Sequence, residues 1–194
     1  MPKHIISVGD SHSMYTFSGI ATEAKYLGPV TMHRAGRDGP WLAQQIANMS
    51  DDHLYIFCVG EIDVRCHVHK QITEHDREED KVIRSLVDDY ISAIQYCKHP
   101  NIGVLAVVPP CNFLEPMHNP EYPFRGSHED RLRYTRSVNA ALKDACAANG
   151  YLFIDVTDDY ADADGFLRKD RSDGCVHIGN TSWVRSTLLD MNVL

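Results

Sequence analysis

Leu54-Tyr55-Ile56-Phe57-Cys58-Val59 is a run of six residues with no charged side chain, and Gly60-Glu61-Ile62-Asp63 follows it directly. A strand with one face in water alternates apolar and polar residues. A run without that alternation reads as a strand covered on both faces, the situation of strands in a parallel sheet between two layers of helices. Four more runs join it as candidate strands, at His4 to Val8, Val30 to His33, Ile102 to Val108 and Tyr151 to Val156.

The segments between these runs read as helices. From Glu78 to Lys98, Ile83, Leu86, Val87, Tyr90, Ile91, Ile94 and Cys97 recur at helical spacing as one apolar stripe, and Pro100 closes it. A second helix is expected after Ser127, whose hydroxyl can accept from the free amide of Asp130, running through Leu132, Val138, Leu142 and Ala145 to a left-handed cap at Gly150. Shorter helices are expected from Pro40 to Met49 and from Thr181 to Met191; the segment after Ser11 has no clear pattern. Strand and helix thus alternate along one domain, residues 1–194, which predicts an α/β fold, a doubly wound sandwich with right-handed crossovers. Val64 to Arg77 and Cys111 to Arg125 break the alternation and are expected as long irregular loops. Following strands, they should emerge at the carboxyl edge of the sheet, where open α/β folds bind ligands; the plainer reading is variable surface loop.

The chain has 194 residues, 43% hydrophobic and 24% charged, with 19 Lys and Arg against 27 Asp and Glu, a formal charge of -8. That balance argues against a nucleic-acid partner. No stretch approaches the roughly 20 apolar residues that cross a bilayer, so no membrane association is expected. Six scattered cysteines without a C-x-x-C pair suggest reduced thiols and a cytoplasmic protein. The turn after the first strand lacks Gly-x-Gly-x-x-Gly, and Gly-x-x-x-x-Gly-Lys is absent, so no nucleotide cofactor is expected.

Gly9-Asp10-Ser11 follows the first strand and places Ser11 on the turn at the carboxyl edge. A serine hydroxyl needs a base to take its proton and donors for the oxyanion that forms. His177, just before the last helix, is the candidate base. Asp173 lies four residues upstream in Ser172-Asp173-Gly174-Cys175-Val176-His177, within reach of the imidazole through a local turn.

In these blocks the sequence resembles the SGNH (GDSL-type) hydrolase superfamily. Gly9-Asp10-Ser11 matches the first block and Gly36 the second; Gly60-Glu61-Ile62-Asp63 partly matches Gly-x-Asn-Asp, and Asp173 with His177 approximates Asp-x-x-His. The resemblance implies a three-layer, flavodoxin-like α/β/α sandwich with a five-stranded parallel sheet. It also implies Ser11 as nucleophile, His177 as base, and the amides of Ser11 and Gly36 as oxyanion donors. Two departures stand out. The oxyanion asparagine is replaced by Ile62, for which Arg65 or Asn112 is a candidate substitute, and the Asp-to-His spacing is four rather than three, which leaves Asp170 as an alternative acid. Asp10 and Asp63 are candidate substrate-binding groups; the alternative is that each braces its own loop through backbone amides.

Cys66, His67, His69 and His75 are soft and imidazole ligands in close sequence, but they lack the paired spacing of closed zinc sites. No metal is expected; the plain reading of these histidines is a solvated loop, and the sharper one places them at the mouth of the pocket. Cys175 is expected to pack against the final helix. The leading functional expectation is a serine esterase that removes a small acyl group from a small-molecule or glycan ester through an acyl-enzyme. Acyl transfer at the same site, and a non-catalytic binding module on the same scaffold, are the alternatives.

Overall fold

The computed structural model describes residues 4–194. Five parallel strands form one sheet in the order β2-β1-β3-β4-β5: β1 His4–Gly9, β2 Glu23–Tyr26, β3 His53–Cys58, β4 Ile102–Leu105 and β5 Leu152–Ile154. β3 shows why its sequence does not alternate. Tyr55 and Phe57 enter the core on one face of the sheet while Leu54, Ile56 and Cys58 enter the core on the other, so the period-two pattern is present but both phases are apolar.

The first core holds Met32 of α2 (Met32–Arg37), Leu42 of α3 (Pro40–Gln44), Val68 of α4 (Val68–Thr73), Val87, Tyr90 and Ile94 of α5 (Glu79–Gln95), and Val138 and Leu142 of α6 (His128–Asn149). The opposite core holds Phe17, which follows α1 (Ser11–Tyr15), together with Tyr160 of α7 (Thr157–Tyr160) and Val184 and Leu188 of α8 (Ser182–Asp190). The result is a three-layer α/β/α sandwich.

The longer helices form where their sequences direct. Ser127 accepts from the Asp130 amide at 3.0 Å and Asp130 returns a bond to the Ser127 amide, a complete capping box, while Gly150 ends α6 with φ 70°. α5 is the expected stripe, and α8 lies within the expected span.

Three local expectations are corrected. The second strand is Glu23–Tyr26, not Val30 to His33. It lies at the sheet edge with mostly exposed side chains and so carries no buried pattern, whereas Val30, Thr31 and Met32 are apolar or buried because they lie under the start of α2. Val64 to Arg77 is not an irregular loop. A π-helical turn, Asp63–His67, runs directly into α4. The helix from Pro40 stops at Gln44 and gives way to turns rather than reaching Met49. Cys111 to Arg125 is irregular, as expected.

The strand order turns at β1, whose neighbours are β2 and β3. Connections leaving β1 and β3 therefore diverge and open a crevice at their carboxyl ends. Gly9 and Cys58 are in register there, and the backbones come so close that a Cβ on Gly9 would lie 2.0 Å from the Cys58 carbonyl oxygen. With φ at 153°, only glycine can both make this approach and start the turn into Ser11.

Candidate active site

Ser11 is the first residue of α1. Asp10 caps that helix, accepting from the His12 amide at 2.8 Å, and the Ser13 hydroxyl binds the Asp10 carbonyl at 2.7 Å. The nucleophile position is thus fixed by its own turn. His177 comes from the loop before α8, and its Nε2 lies 2.8 Å from Ser11 Oγ. Asp173 Oδ2 lies 2.8 Å from His177 Nδ1, and Asp173 Oδ1 accepts from the Cys175 amide at 2.8 Å.

The four-residue spacing closes through a tight turn. The Asp173 amide donates to the His177 carbonyl at 3.1 Å, Ser172 bridges Ile178, and Gly174 takes φ 88°. Asp170 is engaged elsewhere, receiving two bonds from the Arg168 guanidinium at 3.1 and 2.8 Å.

Tyr15 stacks on the His177 ring with centroids 4.3 Å apart and planes at 15°. Burial, followed by the charge of neighbouring His12, holds the His177 pKa below its ordinary range, against the pull of Asp173. At neutral pH the ring is therefore unprotonated, the form able to accept a proton. Asp173 is held below the usual carboxylate range: burial opposes this, but the His177 hydrogen bond and the Cys175 amide prevail.

A cavity of about 420 Å³ opens over Ser11 and His177. Its wall includes Tyr26 and Pro29 from the β2 side, Glu61, Ile62 and Arg65 from the segment after β3, His118 to Tyr122 from the long loop, and Cys175. Arg65 reaches it from the π-helical turn, almost wholly buried, with Nε 2.9 Å from Glu61 Oε1 and its guanidinium 5.3 Å above the Phe124 ring. Burial raises the Glu61 pKa, against the attraction of Arg65 and His12, and Glu61 Oε2 has no partner among the described residues. Single π-helical turns are frequent at functional sites because they turn a side chain out of the regular helical register.

The other candidates lie elsewhere. Gly36 is inside α2, where amides bond within the helix, and it does not line the cavity. Its role is close packing, because a Cβ there would lie 2.6 Å from the Asp89 Cβ of α5. Gly36→Ala is accordingly expected to cost roughly 1–3 kcal/mol of stability by overpacking, read from urea unfolding; an unchanged midpoint would show that α2 can shift away from α5 at no cost. Asn112 is exposed and absent from the cavity wall.

Asp10 and Asp63 are both buried and hold backbone rather than facing the cavity. Asp63 accepts from the Met32 and His33 amides at 2.7 and 3.4 Å, fixing the start of α2, and burial raises its pKa to about 7 despite those bonds. Asp10 thus braces its own turn, whereas Asp63 braces a different segment, the start of α2.

The histidines of the π-helical turn, of α4 and of the bend after α4 do not line this cavity. His67 and His75 border a separate cavity of about 300 Å³ with His33, Lys70 and Arg77, and His69 Nδ1 lies 3.1 Å from the Tyr134 hydroxyl. Among the described residues no three His, Cys, Asp or Glu side chains converge as metal ligands. Cys175 is half-buried against the second core and also lines the cavity, with Sγ 3.5 Å from His118 Nε2.

Sequence reasoning missed three neighbours of the site. His12 and Tyr15 sit beside Ser11 in a segment without a clear pattern, although a histidine directly after the candidate nucleophile was a visible signal. Glu61 was signalled by its four-residue spacing from Arg65, which pairs side chains on a helix.

No family model matches the chain, and no curated protein sequence matches it. Solved structures do. A Bacteroides fragilis protein provisionally described as an acylhydrolase aligns with TM-score 0.61 and 13% identity over 98% of this chain and 86% of that one. A GDSL-like lipase from Bacteroides thetaiotaomicron aligns with TM-score 0.58 and 14% identity over 98% and 87%. The aryl esterase of M. smegmatis aligns with TM-score 0.55 and 14% identity over 99% and 100%. The chain shares the fold of these proteins over nearly its whole length.

Proposed function

We propose that the protein is a serine esterase that cleaves a small acyl group from an oxygen ester through an acyl-enzyme. The observation that carries this reading is the continuous contact from Asp173 through His177 to Ser11, with both links at 2.8 Å, at the floor of a cavity. Ser11 Oγ attacks the ester carbonyl while its proton passes to His177 Nε2. The tetrahedral oxyanion then collapses and the alcohol leaves with that proton. Water, deprotonated by the same nitrogen, attacks the acyl-enzyme, and collapse releases the acid and returns the proton to Ser11 Oγ. Asp173 holds the Nδ1 proton in place throughout and stabilises the imidazolium.

The Ser11 amide and the Arg65 guanidinium are the oxyanion donors in this reading. Arg65 supplies fixed donors and permanent charge where the resembled family has asparagine. Arg65→Met is expected to lower kcat by about 10²- to 10³-fold. Because that change also strands Glu61, Arg65→Lys is the control: it keeps a cation beside Glu61 but loses the planar fork, and should fold normally with reduced kcat. Full activity in Arg65→Lys and Arg65→Met together removes Arg65 from the oxyanion site.

Tyr26, Tyr122, His118 and Asn119 around the cavity offer ring faces and hydrogen-bonding groups suited to a sugar, which supports an acylated carbohydrate as substrate. The six free thiols, five of them buried, suit a reducing compartment such as the cytoplasm. The test is hydrolysis of an activated acetyl ester and of a panel of acetylated sugars, with a fluorophosphonate probe to mark the nucleophile. Labelling and turnover that depend on Ser11 support the esterase; reaction no faster than in a Ser11→Ala variant returns the chain to the binding-module reading. The acid limb of kcat/KM should fall below pH 6.5, because the base titrates below its ordinary 6.5. A limb centred above that value would contradict the site's electrostatics.

A further inference from the structure

A second imidazole lies under the first. His12 is buried, its Nδ1 3.0 Å from Asp10 Oδ1 and its Nε2 3.3 Å from the Val176 carbonyl oxygen. A carboxylate and a carbonyl only accept hydrogen bonds, so both ring nitrogens must donate, and a ring with two N–H groups is an imidazolium. Asp10 directly precedes Ser11 and Val176 directly precedes His177. One side chain thus spans the two segments, 164 positions apart in sequence, that carry the proton-sharing pair.

We propose that His12 is a positioning residue of the Ser11 site: held as a cation, its ring ties the turn that bears Ser11 to the loop that bears His177 and sets the basicity of His177. The tie stands on contacts alone, and its catalytic consequence rests on the esterase reading.

The surroundings fit a buried cation. Facing His12 are Asp10 on its own turn, Cys58 at the end of β3, Glu61 beyond β3, and His177, whose ring centroid is 4.9 Å away. Cys58 is neutral, since burial pushes its thiol well up. Burial works against charge on His12, but Asp10 and then Glu61 outweigh it and raise the pKa above the ordinary value. In contact with His177 are Ser11, His12, Tyr15 and Asp173, while the Asp10 carboxylate acts on it from beside His12 and Glu61 and Arg65 share its cavity wall; His12 is the cation among the groups that the His177 ring touches. Its charge disfavours a proton resting on His177, which keeps the base free between turnovers. Asp173, bound at Nδ1, compensates when the proton arrives at Nε2.

Two measurements test this. In the native protein, nitrogen-15 NMR of the imidazoles at pH 7 should show His12 with both nitrogens protonated and His177 neutral, with a His177 inflection below 6.5. In His12→Gln the His177 inflection, and with it the acid limb of kcat/KM, should rise toward 6.5, and kcat should fall on the order of 10- to 100-fold at little-changed KM as the pair loses its alignment. A single-tautomer neutral His12 at pH 7 overturns the proposal even if the variant fails to fold, as does a His177 inflection unmoved in a folded His12→Gln. If the wild type cleaves no ester faster than Ser11→Ala, the esterase reading fails instead, and the two NMR results still decide the tie.

Discussion

Ser11→Ala is expected to lower kcat/KM for an activated acyl ester by about 10⁴-fold or more, leaving only what the oxyanion donors and binding supply without a nucleophile. The Ser11 hydroxyl contacts His177 and caps nothing, since Asp10 holds the helix start, so the unfolding free energy should change by no more than about 0.5 kcal/mol. Steady-state kinetics alongside urea unfolding separate the two effects. Loss of activity without loss of stability marks a nucleophile; retention of activity means that the hydroxyl does not attack.

Asp173→Asn should be nearly as damaging, on the order of 10⁴-fold in kcat, by a different route. The asparagine oxygen can still accept from the Cys175 amide, so the turn survives. Its NH₂ would then face His177 Nδ1 and donate to it, forcing the ring proton onto Nε2, where it blocks acceptance from Ser11. Asp170→Asn is the companion variant. Asp170 is exposed and paired with Arg168, so its kcat should stay within a factor of about two, a change of roughly 0.4 kcal/mol in barrier. A large loss in Asp170→Asn with little in Asp173→Asn would reverse the assignment of the orienting acid.

The parts of the fold that could be read from sequence are those in which burial left a one-dimensional trace. β3 is apolar on both phases, α5 carries a continuous stripe, and α6 is bounded by Ser127, Asp130 and Gly150. β2 left no such trace because an edge strand with exposed Glu23 and Ala24 has no buried side to record. The contact between Ser11 and His177 was legible only as order along the chain, since a pairing across 166 positions leaves no local pattern. Gly36 misled for a physical reason. A glycine after an apolar run suits a turn, but it equally suits two helices in close approach, and only the position of Asp89 distinguishes them.

The outermost strands have a consequence for the molecule in company. β2 and β5 hold only four and three residues, and β2 carries Glu23 and Lys25, with the Lys25 ammonium bonded to the Gln45 carbonyl. A free strand edge is a template on which a second chain can add its own backbone, and templates this short and, at β2, this charged are poor ones. The sheet is therefore guarded at its borders against growth into intermolecular ribbons, so fibril nucleation would first require part of the sandwich to open.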